Sequence, residues 1–415
     1  MYNRPRGTED VYGDYSDLFQ IIESRIAQVG KQFGFREIRT PIFEATELFV
    51  RSVGETSDIV KKEFYNFKDK GDRDIVLRPE GTAGVIRAVV EEKLLNKFPL
   101  PLRLMYHGPM FRYERPQSGR LRQFNQFGFE IIGTNTIADD IEILLLSVAI
   151  LDAIEIKNWT LKINNIGNFT TRNRWVSALK TYFAQYRDQL NPLNQQRLDS
   201  NPLRILDDKE DGKKAFVKNA PQIAQFLTPE EIRDQTQLET QLKALKIKYI
   251  VDPTLVRGLD YYTNLVFEFN ADDSAAILAG GRYSKLLGEI GGPDYGCIGF
   301  ALGIERMIKL LIAQKTKLIA EQKNTIVVLA PLSEKCIEQA LAIANLIRQK
   351  TTAVVLCNYS TYKLPKHFSY AEKHHADYVI IIGEKEIKDG TVIIKEQKKL
   401  SQKVVKIKEL LSAIK

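Results

Sequence analysis

The 415-residue sequence is poor in cysteine and contains no long apolar segment. Its three cysteines, Cys297, Cys336 and Cys357, lie far apart and form no CxxC motif, which argues against a disulfide framework or a cysteine-rich zinc site. The most apolar segment, residues 143–151, is too short to span a bilayer. The first 14 residues are polar and mixed in charge, unlike a signal peptide. These absences predict a protein of the reducing cytoplasm with no membrane association.

The sequence also lacks the glycine-rich loops that commonly hold phosphate groups. Neither GxxxxGK[ST] nor GxGxxG occurs, so any bound nucleotide must be held by arginines rather than by a P-loop or Rossmann turn. Three histidines, His367, His374 and His375, have no acidic or cysteine partners at ligand spacing, and no metal site is predicted. The net charge of +8 suits a polyanionic partner but does not indicate a fold.

The most informative stretch is residues 105–133, in which two aromatic and apolar segments flank a turn-forming segment at 115–120. This pattern predicts a long antiparallel hairpin. Arg112 lies on the first strand, and Gln126 and Glu130 on the second share one face because strand side chains alternate. The hairpin is suited to binding an anion beside an ammonium or imidazole group. The alternative is a solvated basic surface hairpin.

A second motif, Arg-Pro-Glu-Gly-Thr at 78–82, follows a predicted hairpin and opens a helix predicted over 83–95. It places the carboxylate of Glu80 and the hydroxyl of Thr82 at a helix start. A generic pair of this kind is usually a helix cap, and a cap can also serve as a binding group.

Three later motifs combine glycines with aromatic or basic residues. Arg-Gly-Leu-Asp-Tyr-Tyr-Thr at 257–263 suggests a pocket wall, although it also fits an ordinary strand start. Ala-Gly-Gly-Arg-Tyr at 279–283 allows the backbone to approach a ligand closely. Residues 296–306 read as a strand passing into a helix, with Arg306 one turn beyond Gly303. Such glycines often mean only close packing.

The remaining elements suggest two or three domains, as expected for this length. A helix is predicted at 14–33, followed by a strand at 35–43 whose Pro41 should lie at an edge or interface. Residues 169–245 are rich in Gln, Asn, Lys and Asp and show helical spacing, which predicts an inserted helical module. This module is either inert or a clamp on RNA.

Residues 324–415 alternate strands with helices. The spacing predicts a small α/β domain with a mostly parallel sheet, closed by a basic helix.

Taken together, the motifs resemble the histidyl branch of the class II aminoacyl-tRNA synthetases along nearly the whole chain. The hairpin, with Phe111–Glu114 and Arg122–Phe124, resembles motif 2. Two further stretches resemble motifs 1 and 3, at 14–43 and 296–306. Those similar to the histidyl branch in particular are 78–82, 257–263 and 279–283. Residues 324–415 resemble the anticodon-binding domain of the histidyl, prolyl, threonyl and glycyl group.

The resemblance implies an α+β class II core, with an antiparallel sheet flanked by helices, made of residues 1–168 and 246–322. It implies a helical insertion at 169–245, a C-terminal α/β anticodon-binding domain at 324–415, and a homodimer built through motif 1. The implied reaction activates histidine with ATP to histidyl-adenylate and transfers it to the 3′ end of the cognate tRNA, with Mg²⁺ bridging phosphates.

The resemblance also assigns roles to individual residues. Catalysis is assigned to Arg112 and Arg257. Histidine binding is assigned to Glu80, Gly81, Thr82, Gln126, Glu130, Tyr261 and Tyr262. ATP binding is assigned to Arg112, Glu114, Arg122 and Arg306. Contacts with the tRNA acceptor end are assigned to Arg115, Gln117 and Arg120.

The sequence has three other interpretations, and the main one, a regulatory subunit, belongs to a different functional class. A non-catalytic paralogue serves as a regulatory subunit of the histidine-biosynthetic ATP phosphoribosyltransferase, but it lacks the anticodon domain and tends to lose signature arginines. A class II synthetase of another specificity does not fit the motif at 257–263. A basic RNA-binding protein without catalytic activity would explain the net charge but not the arginines of the motifs.

Overall fold

The computed structural model describes residues 2–53, 60, 63–114, 120–206, 208, 210–271, 276–318, 324–399 and 401–414. The chain divides into two compact units, residues 1–316 and 317–415, and each has its own buried apolar core. Among the described residues, no helix is both long and apolar enough to cross a membrane.

An eight-stranded sheet forms the framework of the first unit, in the order β1-β5-β6-β11-β10-β9-β7-β8. Its inner pairings are antiparallel, and only the outermost pairs, β1 with β5 and β7 with β8, are parallel. Its strands are β1 (Arg36–Glu37), β5 (Leu102–Phe111), β6 (Gln123–Ile132), β7 (Trp159–Asn165), β8 (Tyr249–Val251), β9 (Thr263–Ala271), β10 (Ala276–Arg282) and β11 (Cys297–Gly303). A three-stranded sheet beside it contains β2 (Phe43–Ala45), β3 (Tyr65–Lys68) and β4 (Asp74–Leu77).

The helices of the first unit flank these sheets and also form the inserted module. They are α1 (Asp14–Gln32), α2 (Thr46–Val53), α3 (Thr82–Glu91), α4 (Leu94–Lys97), α5 (Ile137–Ala153), α6 (Phe169–Ala184), α7 (Pro192–Ser200), α8 (Leu203–Leu206), α9 (Ala215–Lys218), α10 (Pro229–Ala244), α11 (Leu286–Glu289) and α12 (Ile304–Ala313). Short 3₁₀ turns lie at Arg187–Gln189, Asp211–Lys213 and Ile223–Gln225.

The central hairpin has the predicted form. Strands β5 and β6 pair over ten positions, from Leu102 opposite Ile132 to Phe111 opposite Gln123. The class II core expected from the resemblance, an antiparallel sheet flanked by helices, is confirmed.

Two local predictions in the first unit are wrong. Residues 35–43 do not form one strand: β1 and β2 belong to different sheets, and Pro41 lies between them. Proline has no N–H group and restricts the residue before it, so the ladder cannot continue through this point. The helix predicted at 83–95 ends at Glu91, because Lys93 adopts a left-handed conformation with φ of 53° before a separate turn of helix begins.

The second unit contains a five-stranded sheet in the order β13-β12-β14-β15-β16. Its strands are β12 (Ile326–Pro331), β13 (Val354–Cys357), β14 (Tyr378–Ile382), β15 (Thr391–Glu396) and β16 (Ser401–Lys406). Its helices are α13 (Ile337–Lys350), α14 (Leu364–Lys373), α15 (Glu384–Asp389) and α16 (Leu410–Ala413), with 3₁₀ turns at Glu334–Cys336 and Ile407–Glu409.

The sheet of the second unit differs from the prediction in two ways. It is mixed rather than mostly parallel, since β14, β15 and β16 pair antiparallel. The chain does end in a helix, the short α16 that follows the 3₁₀ turn at Ile407–Glu409, but the prediction missed the edge strand β16 at residues 401–406 before it. Only Val405 of this strand is buried, while Val404 and the lysines face outward, so pairing with β15 rather than apolar burial specifies the strand.

Candidate active site

A cavity of about 220 Å³ lies against the eight-stranded sheet of the first unit. The turn before α3, the central hairpin, the segment at 257–262 and the β10–β11 region all contribute to its wall. It brings together most of the residues predicted for the site, namely Glu80, Thr82, Arg112, Glu114, Arg120, Gln126, Glu130, Tyr261, Tyr262, Arg257 and Arg306.

Glu130 lies at the closed end of the cavity and is 1% exposed. The hydroxyl of Thr82 donates to its Oε1 at 2.8 Å, and the hydroxyl of Tyr283 donates to its Oε2 at 2.5 Å. Burial raises the pKa of Glu130 to about 8, since loss of hydration and the nearby Glu80 outweigh these hydrogen bonds. The closed end is therefore a buried carboxyl oriented by two hydroxyl groups.

Glu80 is both the cap of a helix and a wall of the cavity. Its carboxylate accepts hydrogen bonds from the backbone N–H groups of Thr82 and Ala83 at 2.7 and 2.8 Å, at the start of α3. Burial raises its pKa, while these N–H donors act in the opposite direction. One carboxylate thus satisfies N–H groups at the start of a helix and also lines the cavity.

Tyr106 was not predicted as a site residue, although its ring lines the cavity. A side chain at Gly81 or Gly128 would place its Cβ within about 2.0 to 2.1 Å of this ring, so both positions require glycine. The Tyr106 hydroxyl lies 3.5 Å from the hydroxyl of Thr82. Tyr106 lies in an apolar strand, and nothing in the local sequence distinguishes it from a core residue.

A third close approach occurs at Gly299 on β11. A Cβ at this position would lie 1.7 Å from Oε2 of Glu130. The glycine-rich strand at 296–306, which sequence reasoning could read as close packing alone, therefore makes room for the buried carboxyl.

The segment at 257–262 forms one wall of the cavity. Arg257 forms an ion pair with Glu268, and its guanidinium carbon lies 6.0 Å from the ring centroid of Tyr262. The rings of Tyr261 and Tyr262 have centroids 4.7 Å apart, and Tyr261 also contacts Tyr283 edge-on at 5.6 Å. This wall thus joins a cation to a group of buried tyrosines.

Arginines dominate the open end of the cavity. Arg112 donates from Nε to the carbonyl of Pro79 at 2.8 Å and lies 5.3 Å from the ring centroid of Phe124. Arg306 donates to the carbonyl of Ala276 at 2.6 Å. Burial and the neighbouring arginines lower the pKa of Arg306, yet a guanidinium stays charged at neutral pH. These cations are in place to receive an anion.

Two carboxylates lie among these arginines. Glu114 forms an ion pair with Arg120 at 2.9 Å. Glu305, which was not predicted, accepts hydrogen bonds from the backbone N–H of Asn125 at 2.7 and 3.0 Å and from its side-chain amide at 2.9 Å.

Some predicted residues do not line the cavity. Gly81 supports it by leaving room for Tyr106. Arg122 lies with its guanidinium carbon 3.8 Å from the ring centroid of Tyr113 and donates to the carbonyl of Glu114 at 3.2 Å, so it braces the base of the hairpin. Arg115 and Gln117 lie outside the described residues.

The cavity can bind a small polar molecule at the buried carboxyl and an extended anion at the arginines. With the antiparallel sheet and its hairpin, these features define a class II aminoacyl-tRNA synthetase. A family model for histidyl-tRNA synthetase matches residues 7–307, and one for an anticodon-binding domain matches residues 326–415. The chain belongs to the histidyl-tRNA synthetase family.

Individual relatives agree along the full length. The histidine–tRNA ligase of Malacoplasma penetrans is 44% identical over 420 residues, covering 100% of this chain and 98% of the relative. That of Ureaplasma parvum is 43% identical over 414 residues, covering 99% and 98%. The structure of apo histidyl-tRNA synthetase from S. aureus matches with a TM-score of 0.82 at 33% identity and covers 100% of both chains.

Proposed function

We propose that this chain acts as a histidine–tRNA ligase through the cavity described above. The cavity forms histidyl-adenylate from histidine and ATP, and the histidyl group then passes to the 3′ end of the cognate tRNA. The observation that carries this proposal is the pairing, within one cavity, of the buried Glu130 carboxyl with the arginines of the open end.

The closed end supports recognition of the histidine side chain. Glu130 accepts a hydrogen bond from one imidazole N–H, and Tyr262 meets the other side of the ring. A site built from buried polar groups rejects apolar analogues, because those analogues would leave the groups unpaired, by a factor of roughly 10⁴ or more.

The α-ammonium of histidine binds to Glu80, Thr82 and Gln126. Oε1 of Gln126 is buried and has no hydrogen-bond partner among the described residues. Because a buried carbonyl oxygen without a partner is costly, it supports an ammonium donor at this position.

Activation brings two anions together. The histidine carboxylate attacks the α-phosphorus of ATP, a P–O bond forms, and pyrophosphate leaves with the electrons of the broken P–O bond. Arg112 and Arg257 stabilise the charge that builds on the phosphoryl oxygens, and Arg306 holds the far end of ATP. In the second step, a terminal ribose hydroxyl of tRNA attacks the adenylate carbonyl and AMP leaves.

Mg²⁺ fits the chemistry of the open end. Glu114 and Glu305 both line the cavity, and carboxylates combined with phosphate oxygens and water are ligands that Mg²⁺ prefers. When bound, the ion neutralises negative charge on the phosphates. Glu114 and Arg122 support ATP binding from the hairpin, Arg122 by bracing its base.

The remaining partners follow from the family. The acceptor end of tRNA contacts the hairpin loop through Arg115, Gln117 and Arg120, and the anticodon binds the domain at 324–415. The core comprises residues 1–168 and 246–322, with the helical insertion at 169–245. The enzyme works in the cytoplasm, where tRNA is charged.

A homodimer forms through the motif 1 region. Ile42 and Phe43, beside the motif's proline, are 44% and 57% exposed in the single chain, which supports their burial against a second copy.

The test is exchange of labelled pyrophosphate into ATP in the absence of tRNA. Exchange that requires histidine supports adenylate formation, and charging of histidine tRNA then tests the second step. A folded protein that binds histidine but performs no exchange would instead be a regulatory subunit. The arginines that line the cavity and the match to an anticodon-binding domain argue against that alternative.

A further inference from the structure

The inserted helical module at 169–245 makes polar contacts with the back of the segment at 257–262, which carries Arg257 and the two tyrosines of the cavity wall. The contacts come from the first turns of α6 and from the connection between α7 and α8. Nothing in the local sequence of the module indicates this attachment.

Arg172 on α6 is the central residue of the attachment. One of its guanidinium nitrogens donates to the carbonyl of Asp260 at 2.6 Å and to the carbonyl of Tyr262 at 3.1 Å. The other lies 3.4 Å from the Asp260 carboxylate. Arg172 is 8% exposed, so a buried charge holds the backbone on both sides of Tyr261.

Two further residues of the module reinforce this contact. The side-chain amide of Asn201 donates to the Asp260 carboxylate at 2.9 Å. The guanidinium of Arg204 lies beside Gly258, about 3.7 Å from where a Cβ would stand. The Asp260 carboxylate is therefore held by groups from both α6 and the α7–α8 connection.

Apolar packing joins the same two regions. Trp175 and Leu179, which follow Arg172 along one face of α6 at helical spacing, are fully buried. They belong to the same continuous apolar core as Val256, Tyr261 and Tyr262. The module and the cavity wall thus share one core, and the polar contacts fix the register between them.

We propose that the inserted module holds the cavity wall in its reactive geometry, and that Arg172 is a positioning residue for Arg257. This inference rests on the proposed function, in which Arg257 contacts the reacting groups. It gives the module a role in adenylation that needs no contact with RNA. A displacement of about 1 Å at a reacting group can cost roughly 10²-fold in rate, so we expect loss of the two hydrogen bonds to the backbone of this segment to lower the rate.

The experiment compares Arg172→Gln with a matched control in the full chain. Arg174→Gln removes an exposed arginine from the same helix. Arg174 donates to the carbonyl of Phe226 at 2.6 Å, and Phe226 lies inside the module rather than in the cavity wall. We expect Arg172→Gln to lower kcat for pyrophosphate exchange by ~10- to 100-fold. Arg174→Gln should stay within about two-fold of wild type. Arg172→Lys, which keeps the charge but not the planar fork, should recover part of the loss.

A double-mutant cycle distinguishes positioning from general destabilisation. If Arg172 acts through Arg257, Arg172→Gln should cost much less in a chain that already carries Arg257→Ala, because the effects of energetically coupled residues are not additive. A full, additive loss would overturn the proposal, and so would equal rates for Arg172→Gln and Arg174→Gln.

Hydrogen exchange of the backbone amides at 258–262 gives a readout that does not depend on activity. We expect faster hydrogen exchange in Arg172→Gln than in wild type or Arg174→Gln, and equal hydrogen exchange would overturn the proposal.

If Arg172→Gln fails to fold, Asp260→Asn serves in its place, with a smaller loss of kcat in the same direction. Absence of exchange of pyrophosphate in folded wild type would overturn the proposed function itself.

Discussion

The two ends of the cavity carry groups of opposite charge and different burial. At the closed end, the carboxyl of Glu130 is buried and its hydrogen-bond donors, Thr82 and Tyr283, are already in place. At the open end, Arg112 and Arg306 are only partly buried and rest on backbone carbonyls. The buried carboxyl is thus oriented by side-chain hydroxyl groups, whereas the arginines are oriented by backbone carbonyls.

Under the proposed function, this difference separates substrate specificity from reaction rate within one cavity. A small polar side chain is selected by fixed, buried partners, since any mismatch leaves one of them unpaired. A transferring phosphoryl group needs cations aimed at the charge of its transition state. Variants that alter one end at a time should therefore affect the two substrates differently.

The largest effect is expected from Arg257→Ala. Loss of a cation at the reacting carboxylate and α-phosphate should lower kcat for pyrophosphate exchange by ~10²–10³-fold. Arg257→Lys should recover only part of this rate, because a lysine does not reproduce the planar guanidinium. An unchanged kcat in the alanine variant would place the reacting groups elsewhere.

A smaller effect, specific to one substrate, is expected from Glu130→Ala. Loss of a hydrogen bond to a charged group, worth about 1.5–3 kcal/mol, should raise the KM for histidine by roughly 10- to 100-fold. The KM for ATP should change far less, because the proposed ATP-binding arginines lie at the other end. Equal changes in both constants would show that Glu130 has no specific role in histidine recognition.

The opposite substrate dependence is expected from Arg306→Ala. We expect the KM for ATP to rise about ten-fold, since a charge-assisted contact to phosphate is lost, while the KM for histidine stays nearly constant. Lys309→Ala is the matched control, because Lys309 lies on the same helix and is exposed. A similar rise in both variants would indicate a general effect of charge rather than a contact.

The smallest effect is a proton linkage at Glu130. Because burial raises the pKa of this carboxyl to about 8 in the free protein, its neutral form is favoured at pH 7 far more than that of an ordinary glutamate. If histidine binds the carboxylate form, binding should release roughly one proton near pH 7, and affinity should rise with pH toward 8. Calorimetry in buffers of different ionisation enthalpy measures this release.

Glu130→Gln provides the control for this linkage, because subtracting its proton release removes the contribution of the histidine ligand itself.

The same raised pKa of Glu130 also affects the stability of the folded protein. Between about pH 4.5 and 8 the folded state binds more protons at this site than the unfolded chain, so its contribution to the unfolding free energy decreases as pH rises. A pH-independent difference between wild type and Glu130→Gln would contradict the linkage.

Residues that line the closed end of the cavity were easier to predict from the sequence than the residues that pack around them. Glu80, Thr82 and Glu130 lie in motifs whose residue types indicate their chemistry. Tyr106 could not be predicted in the same way, because the close approach of Gly81 and Gly128 to its ring depends on how two separate segments pack. Glu305 was likewise missed, since its partner Asn125 is distant in sequence.

The wrong or missing predictions of the fold have similar causes. Residues 401–406 contain two lysines and are mostly exposed, which fits an exposed helix face as well as an exposed strand edge, and only pairing with β15 decides between them. The parallel and antiparallel strand order of the second unit is also a property of the whole sheet, which short-range patterns do not specify.

The sequence by itself determined the hairpin, the order of the motifs and the family, because these depend on residue types at fixed local spacing. Only the tertiary structure decided that the inserted module attaches to the cavity wall through Arg172 and Asp260, two residues 88 positions apart. It also decided that Glu130 is buried deeply enough for the pKa of its carboxyl to rise to about 8. Both depend on which distant segments exclude water from a charged group, and burial of this kind is a property of the assembled core.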